Sequence, residues 1–176
     1  GYVFQEHRLL PWRSVKKNLE LVLAASSVSR QLWDDKINDI LEILHISRYK
    51  DSWPLRLSGG ERQRVSIARA LLVEPSYVMM DEPFSTLDEL TARTLRQELI
   101  DIWQRTGATI VFVTHSIREA TFLADRIIIL TRGPANVDDS YSVPIDRPRD
   151  YEDPRIGQVE AEIVKRVLGV WELEKT

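Results

Sequence analysis

A glycine-rich turn within Leu57–Val65, which reads LSGGERQRV, is the first feature of this chain that suits a chemical role. Glycine carries no Cβ, so a backbone built from it can approach a ligand closely. The turn runs directly into a segment with helical spacing, and the unpaired N–H groups at a helix start favour an anion such as phosphate. Such a turn alone is a common helix start, and its significance depends on the polar residues that follow at fixed distances.

Polar residues stand directly after three short apolar runs, and these residues are Gln5, the pair Asp81 and Glu82, and His115. Ligands of an open parallel sheet bind outside the carboxyl ends of its strands. We therefore expect the three positions to converge at one edge of a sheet. Gln5 alone is unremarkable and gains weight only from the other two positions.

The pair Asp81 and Glu82 has the chemistry of a metal-dependent hydrolytic site. Asp81 is placed to hold Mg²⁺ through water, because Mg²⁺ prefers hard oxygen ligands and keeps several waters. Glu82 is placed to accept a proton from an attacking water, and such a base contributes about 10²–10⁴-fold in rate. Two acids can also end a strand simply because turns are polar. The apolar run before them, with Pro83 and Asp88 after them, favours the functional interpretation.

His115 is a candidate to bond a phosphate oxygen and to position the attacking water. The alternative is a histidine that caps a helix or is satisfied in the core, which is the commoner role of a lone histidine. Because Thr114 and Ser116 flank it at a strand end, we favour the functional role. For His7 and His45 we expect structural roles.

Composition limits the class of protein. The chain has 176 residues, with 24 basic and 27 acidic side chains, so no overall basic field points to nucleic acid. We interpret Arg62, Arg64 and Arg69 as a solvated helix face. Cysteine is absent, which excludes a disulfide scaffold and fits a reducing cytosol. No apolar stretch approaches the roughly 18 residues that span a bilayer.

Unbroken apolar runs alternate with amphipathic segments along the chain, which predicts an α/β fold with a parallel sheet covered by helices on both faces. Strands are expected at 1–5, 77–80, 109–113 and 127–130. Helices are expected around 19–23, from an N-cap at Asp34 through 44, and over 61–73, 95–103, 117–124 and 159–167. We expect loop or a weak hairpin over 132–154, and a core position for Trp103.

In order along the chain, the motifs resemble those of the ATP-binding subunit of an ABC transporter. Phe4–Glu6 resembles the Q-loop, Leu57–Glu61 the ABC signature, Tyr77–Glu82 Walker B with its catalytic Glu, Ser85–Asp88 the D-loop, and His115 the H-loop switch. Five motifs in the right order make the joint pattern highly specific. The resemblance implies a P-loop NTPase-like fold with a helical subdomain. We expect 1–176 to be a partial ABC ATPase domain, with a mostly helical lobe at 6–57 and a C-terminal loop and helix at 132–176.

Finer features are similar to those of importers of nitrate, sulfonate and taurine. They are Leu9–Trp12, Asp81–Phe84, Thr131–Pro134, Pro148–Asp150 and Asp153-Pro154. One departure from the family is serious, because the chain contains no Gly-x-x-x-x-Gly-Lys-[Ser/Thr] loop to wrap the phosphates of a nucleotide. The aromatic residue that stacks on adenine in this family is absent as well. In the family both precede the Q-loop, so we expect the natural N-terminus to lie upstream and the chain alone to be inactive. Thr86 and Ser116 are two minor departures.

The resemblance implies a head-to-tail homodimer with two ATP molecules at its interface. One subunit is expected to contribute Gln5, Glu82 and His115 as catalytic residues, with Asp81 and Gln5 as Mg²⁺ ligands. The partner is expected to contribute Ser58, Gly59, Gly60, Glu61 and Asp88. Gln5–Trp12 and the helical lobe are expected to contact transmembrane permease subunits, so the protein would lie peripherally on the cytoplasmic face of the membrane. A periplasmic or extracellular solute-binding protein would be an indirect partner, and nucleic acid would not be one.

Two alternatives stay open on the sequence. The first is an ABC-type ATPase that works on DNA or ribosomes. It is disfavoured because only a modest helical lobe separates Gln5 from Ser58 and only one signature is present. The second is a truncated fragment that does not hydrolyse ATP, which the missing phosphate loop favours.

Overall fold

A computed structural model describes residues 1–131 and 136–173, together with their side chains apart from those of 138 and 170–173. The chain forms two compact units, which divide between Val113 and Thr114. Of the features predicted from sequence, the segment Arg132–Pro134 lies outside the described residues.

The first unit contains a three-stranded parallel sheet in the order β1-β2-β3, which confirms the predicted α/β class. The strands are β1 (Tyr2–Val3), β2 (Tyr77–Asp81) and β3 (Thr109–Val113). Asp81 at the end of β2 pairs in register with Val113 at the end of β3. The carboxyl ends of these two strands therefore lie side by side.

The two faces of this sheet differ. On one face Val3, Val78 and Met80 are buried in the core. On the other face the apolar side chains remain exposed, and they are Tyr2, Tyr77, Met79, Val111 and Val113. The prediction that both faces are covered is therefore wrong for the described residues, although apolar runs of this kind are typical of strands buried on both faces.

Four α-helices accompany the sheet of the first unit: α1 (Val15–Ala24), α2 (Trp33–Ile43), α3 (Gly59–Leu71) and α4 (Glu89–Thr106). They confirm the helices predicted in these regions. Their apolar faces form the core, with Leu19, Leu23, Ile37, Leu41, Ile67, Leu95 and Ile102 buried. Three short 3₁₀ turns, Arg30–Leu32, Ser47–Tyr49 and Pro54–Arg56, connect α1, α2 and α3.

Two details of the helical prediction are wrong. Asp34 does not cap α2, because a 3₁₀ turn leads directly into the helix and α2 begins at Trp33. The Asp34 carboxylate instead accepts from Lys16 Nζ at 2.5 Å. Trp103 is half-buried and not a core residue, since it lies at the margin of the face on which Leu99 and Ile102 are buried.

The second unit contains α5 (Ile117–Leu123), β4 (Arg126–Leu130), β5 (Val137–Ser142) and α6 (Pro154–Leu173). The predicted strand at 127–130 is confirmed, but its pairing is antiparallel with β5. Within 132–154, where a loop or a weak hairpin was expected, β5 is a strand that pairs with β4. Arg149 is buried and donates to the carbonyl oxygens of Thr121, Phe122 and Ala124, which fastens the loop after β5 to the end of α5.

Candidate functional site

Gln5 and Glu82 meet at the carboxyl ends of β1 and β2. Gln5 Nε2 donates to Glu82 Oε2 at 3.0 Å, across 77 residues of sequence. The contact forms because β1 and β2 are parallel neighbours, so the residues just beyond their ends emerge at the same edge of the sheet. Two of the positions that sequence reasoning placed together are therefore in hydrogen-bond contact.

The backbone of Glu82 is held in an unusual conformation. Its φ is 42°, in the left-handed region that non-glycine residues seldom adopt, and its N–H donates to Val113 O at 2.9 Å. Left-handed backbone at a non-glycine residue costs about 1–3 kcal/mol and persists where surrounding structure imposes it. Here β3 fixes the backbone and thereby aims the half-buried Glu82 side chain at Gln5.

Three side chains at this edge of the sheet carry oxygen atoms suited to bind a metal ion, and they are Asp81, Glu82 and Gln5. Asp81 is half-buried at the last position of β2. The Gln5 amide nitrogen is engaged with Glu82, so its carbonyl oxygen is the atom suited to a cation. Hard oxygen ligands of this kind suit Mg²⁺, which takes few protein ligands and keeps several waters. Among the described residues no group of three or more His, Cys, Asp or Glu side chains could hold a metal.

The glycine-rich turn is the first turn of α3 and is closed by a capping box. Ser58 Oγ accepts from Glu61 N at 3.3 Å, while Ser58 N donates to Glu61 Oε2 at 2.8 Å. Burial opposes ionisation of Glu61, but hydrogen bonds from Tyr49 and Ser58 outweigh it and hold the pKa of that carboxyl below its usual value. The Glu61 carboxylate thus serves the cap of α3.

The two glycines of the turn have different surroundings. A Cβ on Gly60 would lie 2.6 Å from Thr91 Cγ2, so Gly60 permits close packing of α3 on α4. A Cβ on Gly59 would meet nothing within 4 Å. Since Ser58 is exposed as well, the start of α3 is accessible from outside.

Asp88 lies beside this turn. Its carboxylate caps α4 by accepting from Thr91 N at 3.0 Å, and this backbone N–H lowers the pKa of Asp88. Thr91 therefore contacts Asp88 through its backbone and approaches Gly60 through its methyl group. The structure thus gathers Ser58, Gly60 and Asp88 in one region of the first unit.

His115 belongs to the second unit. It is exposed and lies between Thr114, whose Oγ1 accepts from Ser116 N at 3.0 Å, and the start of α5. Ser116 caps that helix by accepting from Glu119 N at 3.3 Å. The backbone on both sides of His115 is therefore fixed, and its convergence with Gln5 and Glu82 stays a prediction.

The arginines of α3 correct the sequence interpretation. They are half-buried, and they donate to backbone carbonyls instead of forming a solvated face: Arg62 to Leu57 O, Arg64 to Leu44 O, and Arg69 to His7 O and Arg8 O. Arg64 also pairs with Glu98. Sequence reasoning missed the contact of Arg69 with the segment after Gln5. One feature of the sequence pointed toward this contact. Arg62 and Arg69 are seven residues apart, which places them on the same face of α3.

His7 has the structural role that was predicted for it. Its imidazole is half-buried beside Gly59 and Arg62, and Nε2 is buried with no hydrogen-bond partner among the described residues. Burial lowers the pKa of His7, the nearby Arg62 lowers it further, and a hydrogen bond with the Gly59 backbone partly offsets both.

Comparison with known proteins identifies a family. The family model described as ABC transporter matches residues 1–85. The nitrate import ATP-binding protein NrtD of Synechococcus elongatus is 40% identical over 171 residues, which cover 91% of this chain and 61% of the relative. The aliphatic sulfonates import ATP-binding protein SsuB of Bacillus thuringiensis subsp. konkukian is 36% identical over 166 residues, with coverage of 94% and 65%. The chain thus spans about three fifths of the length of these relatives.

A solved structure supports the same relationship. The dimeric ATP-binding cassette MJ0796, bound to ADP and Pi in a post-hydrolysis state, superposes with a TM-score of 0.70 at 32% identity. The match covers 83% of this chain and 63% of that cassette.

Proposed function

Because the chain belongs to the ABC transporter family of ATP-binding proteins, we propose that the protein hydrolyses ATP to energise the import of a small solute. The observation that carries this proposal is the hydrogen bond from Gln5 to Glu82, beside Asp81 at the carboxyl edge of a parallel sheet. The names of the relatives favour nitrate or a sulfonate as the solute. The motifs of the sequence are in keeping with both and add taurine as a candidate.

Glu82 acts as the general base of the reaction. Its carboxylate takes a proton from water, the water oxygen bonds to the γ-phosphorus, and the bond from that phosphorus to the β–γ bridging oxygen breaks, which gives ADP and phosphate. Gln5 holds the Glu82 carboxylate in place through the bond from Nε2. His115 donates to an oxygen of the γ-phosphate and helps to position the water.

Mg²⁺ is proposed as the cofactor, held by Asp81 and the Gln5 carbonyl oxygen. When bound, it neutralises negative charge on the phosphate oxygens. The fit rests on the oxygen chemistry of the donor set at the strand ends, which consists of two adjacent carboxylates and one amide.

The turn at Ser58–Gly60 and the carboxylate of Asp88 act on an ATP held by a second copy of the protein, with Glu61 locking the turn. Three features support this division: Ser58 is exposed, Gly59 has open space beside it, and the first N–H groups of α3 favour a phosphate. In a head-to-tail homodimer, each ATP contacts Gln5, Glu82 and His115 of one subunit and the Ser58–Gly60 turn of the other. ATP then joins the two subunits, and its hydrolysis releases them.

Permease subunits are the second class of partner, and Gln5–Trp12 with the helical lobe at 6–57 is the proposed contact surface. Trp12 is 66% exposed, which is unusual for an indole that no partner covers. Within the described residues no helix is both long and apolar enough to cross a membrane. We propose a peripheral position on the cytoplasmic face, with a periplasmic or extracellular solute-binding protein as an indirect partner and no nucleic acid bound.

Replacement of Glu82 by Gln tests the proposal in the full-length protein. Glu82→Gln removes the proton acceptor and keeps the size of the side chain, so steady-state hydrolysis should fall by at least about a hundredfold while ATP binding is retained. Glu152→Gln, at an exposed position of the second unit, is the matched control and should hydrolyse ATP at the wild-type rate. An unchanged rate in Glu82→Gln would remove Glu82 from its role.

A further inference from the structure

The side chain of Arg69 joins α3 to the segment that carries Gln5. Its guanidinium donates through Nη1 to Arg8 O at 2.7 Å and through Nη2 to His7 O at 2.9 Å. Two successive carbonyls face one guanidinium because Arg8 has a left-handed backbone with φ 47°, which turns the chain sharply at this point. Arg69 itself is half-buried. Its bond to His7 O is partly shielded from water, whereas its bond to Arg8 O is exposed.

Two further contacts hold the same segment, residues 4–8, which we call the Gln5 loop. The Arg8 guanidinium lies 4.0 Å from the centre of the Phe4 ring, so the residues on either side of Gln5 are tied to each other. The half-buried His7 ring lies beside the backbone of Gly59, in the first turn of α3. The loop therefore contacts α3 at both Gly59 and Arg69, positions about 15 Å apart along the helix axis.

We propose that Arg69 is a positioning residue that fixes the Gln5 loop to α3, so that Gln5 and the Ser58–Gly60 turn move as one body. The proposal rests on the function proposed above, in which Gln5 acts at one ATP and the turn acts at the other. Arg69 touches neither ATP. It acts through the backbone of His7 and Arg8, and thereby sets where Gln5 Nε2 meets Glu82.

The geometry requires arginine at this position. A planar guanidinium presents several donors in a fixed arrangement and can serve two carbonyls at once, whereas the ammonium of lysine is a compact point charge. Arg69→Lys should therefore restore the link only in part. Arg69→Met keeps the apolar stem and removes every donor. Arg105, which is exposed in the last turn of α4, offers the matched control Arg105→Met.

The first test is hydrogen–deuterium exchange in the full-length protein without nucleotide. Arg69→Met should raise the exchange rate of amides in residues 5–10 by at least about tenfold, Arg69→Lys should raise it less, and Arg105→Met should leave it at the wild-type value. If Arg69→Met does not fold, Arg69→Lys carries the measurement. Wild-type exchange across residues 5–10 in a folded Arg69 variant would overturn the proposed link.

The second test is steady-state ATP hydrolysis by the same variants. Arg69→Met should lower kcat at least about tenfold and keep the KM for ATP within about twofold of wild type, with Arg69→Lys between the two. A variant with faster exchange and unchanged kcat would show that the contact is merely structural. A wild-type protein that does not hydrolyse ATP would refute the proposed function, and the exchange experiment would still decide whether Arg69 holds the loop.

Discussion

At the scale of single residues, the site depends on backbone conformations that only the fold can impose. Glu82 and Arg8 both have positive φ, and each conformation turns a side chain or a pair of carbonyls toward a specific partner. The convergence of Gln5 and Glu82 could be predicted from sequence, because each residue follows an apolar run that was expected to be a strand of one parallel sheet. The partners of Arg69 could not be predicted, because they depend on the path of the loop that contains Arg8. Arginine is not a residue type that indicates a turn.

His7 makes stability depend on pH. Burial lowers its pKa in the folded protein below the ordinary value of about 6.5, so the folded state binds a proton less readily than the unfolded state. Above that value His7 contributes no pH dependence. As the pH falls from about 6.5 through the folded pKa, the unfolded state gains protons first, and stability decreases.

Urea denaturation of the full-length protein at pH 7.5, 6.5 and 5.5 measures this effect. Wild type should lose stability over the interval, and His7→Asn should lose less, because asparagine does not titrate. The two proteins should converge in pH dependence above pH 7. Equal losses between pH 6.5 and 5.5 in wild type and variant would contradict the assigned role of His7.

At the scale of secondary-structure elements, the packing of α3 on α4 holds the signature turn beside Asp88. Thr91 connects the two helices, since its N–H binds Asp88 and its methyl group lies where a Cβ of Gly60 would be. Sequence periodicity predicted both helices, but their starts were set by local contacts. The capping box of Ser58 starts α3 two residues before the position expected, and the 3₁₀ turn before α2 displaces Asp34 from its predicted cap.

The two glycines of α3 should therefore respond differently to alanine. Gly60→Ala places a Cβ 2.6 Å from a methyl group of Thr91, whose branched side chain is stiff in a helix, so the two helices must separate. We expect a loss of about 1–3 kcal/mol in the free energy of unfolding. Gly59→Ala has open space and should be neutral or stabilise by up to about 1 kcal/mol.

Denaturant unfolding of the two variants in the full-length protein tests this contrast, and each serves as the control of the other. The double variant Gly60→Ala with Thr91→Ser removes the methyl group that causes the clash and should recover part of the loss. Equal stability of the two single variants would show that Gly60 does not set the distance between α3 and α4.

At the scale of the whole molecule, the parallel sheet and the Gln5–Glu82 contact followed from alternating apolar and amphipathic segments. The pairing of β4 did not, because an apolar run does not specify whether its neighbour is parallel or antiparallel. Whether helices cover both faces of the sheet could not be predicted from sequence either, because it depends on which segments pack against each face. In the described residues the uncovered face carries Tyr77, Met79 and Val111, of which each is more than half exposed.

This exposed apolar face should make the 176-residue chain associate when it is produced alone. Contiguous apolar surface drives contact between molecules, and the short strand β1 at the edge of the sheet offers unpaired backbone groups to a second copy.

Gel filtration with light scattering should find aggregates or oligomers of the chain, together with strong binding of an apolar fluorescent dye. The full-length protein is the control and should bind the dye weakly. Met79→Lys and Val111→Lys, which place charge on the same face, should shift the chain toward monomer. A soluble, dye-free monomer that unfolds cooperatively on heating would show that this surface is satisfied within the 176 residues themselves.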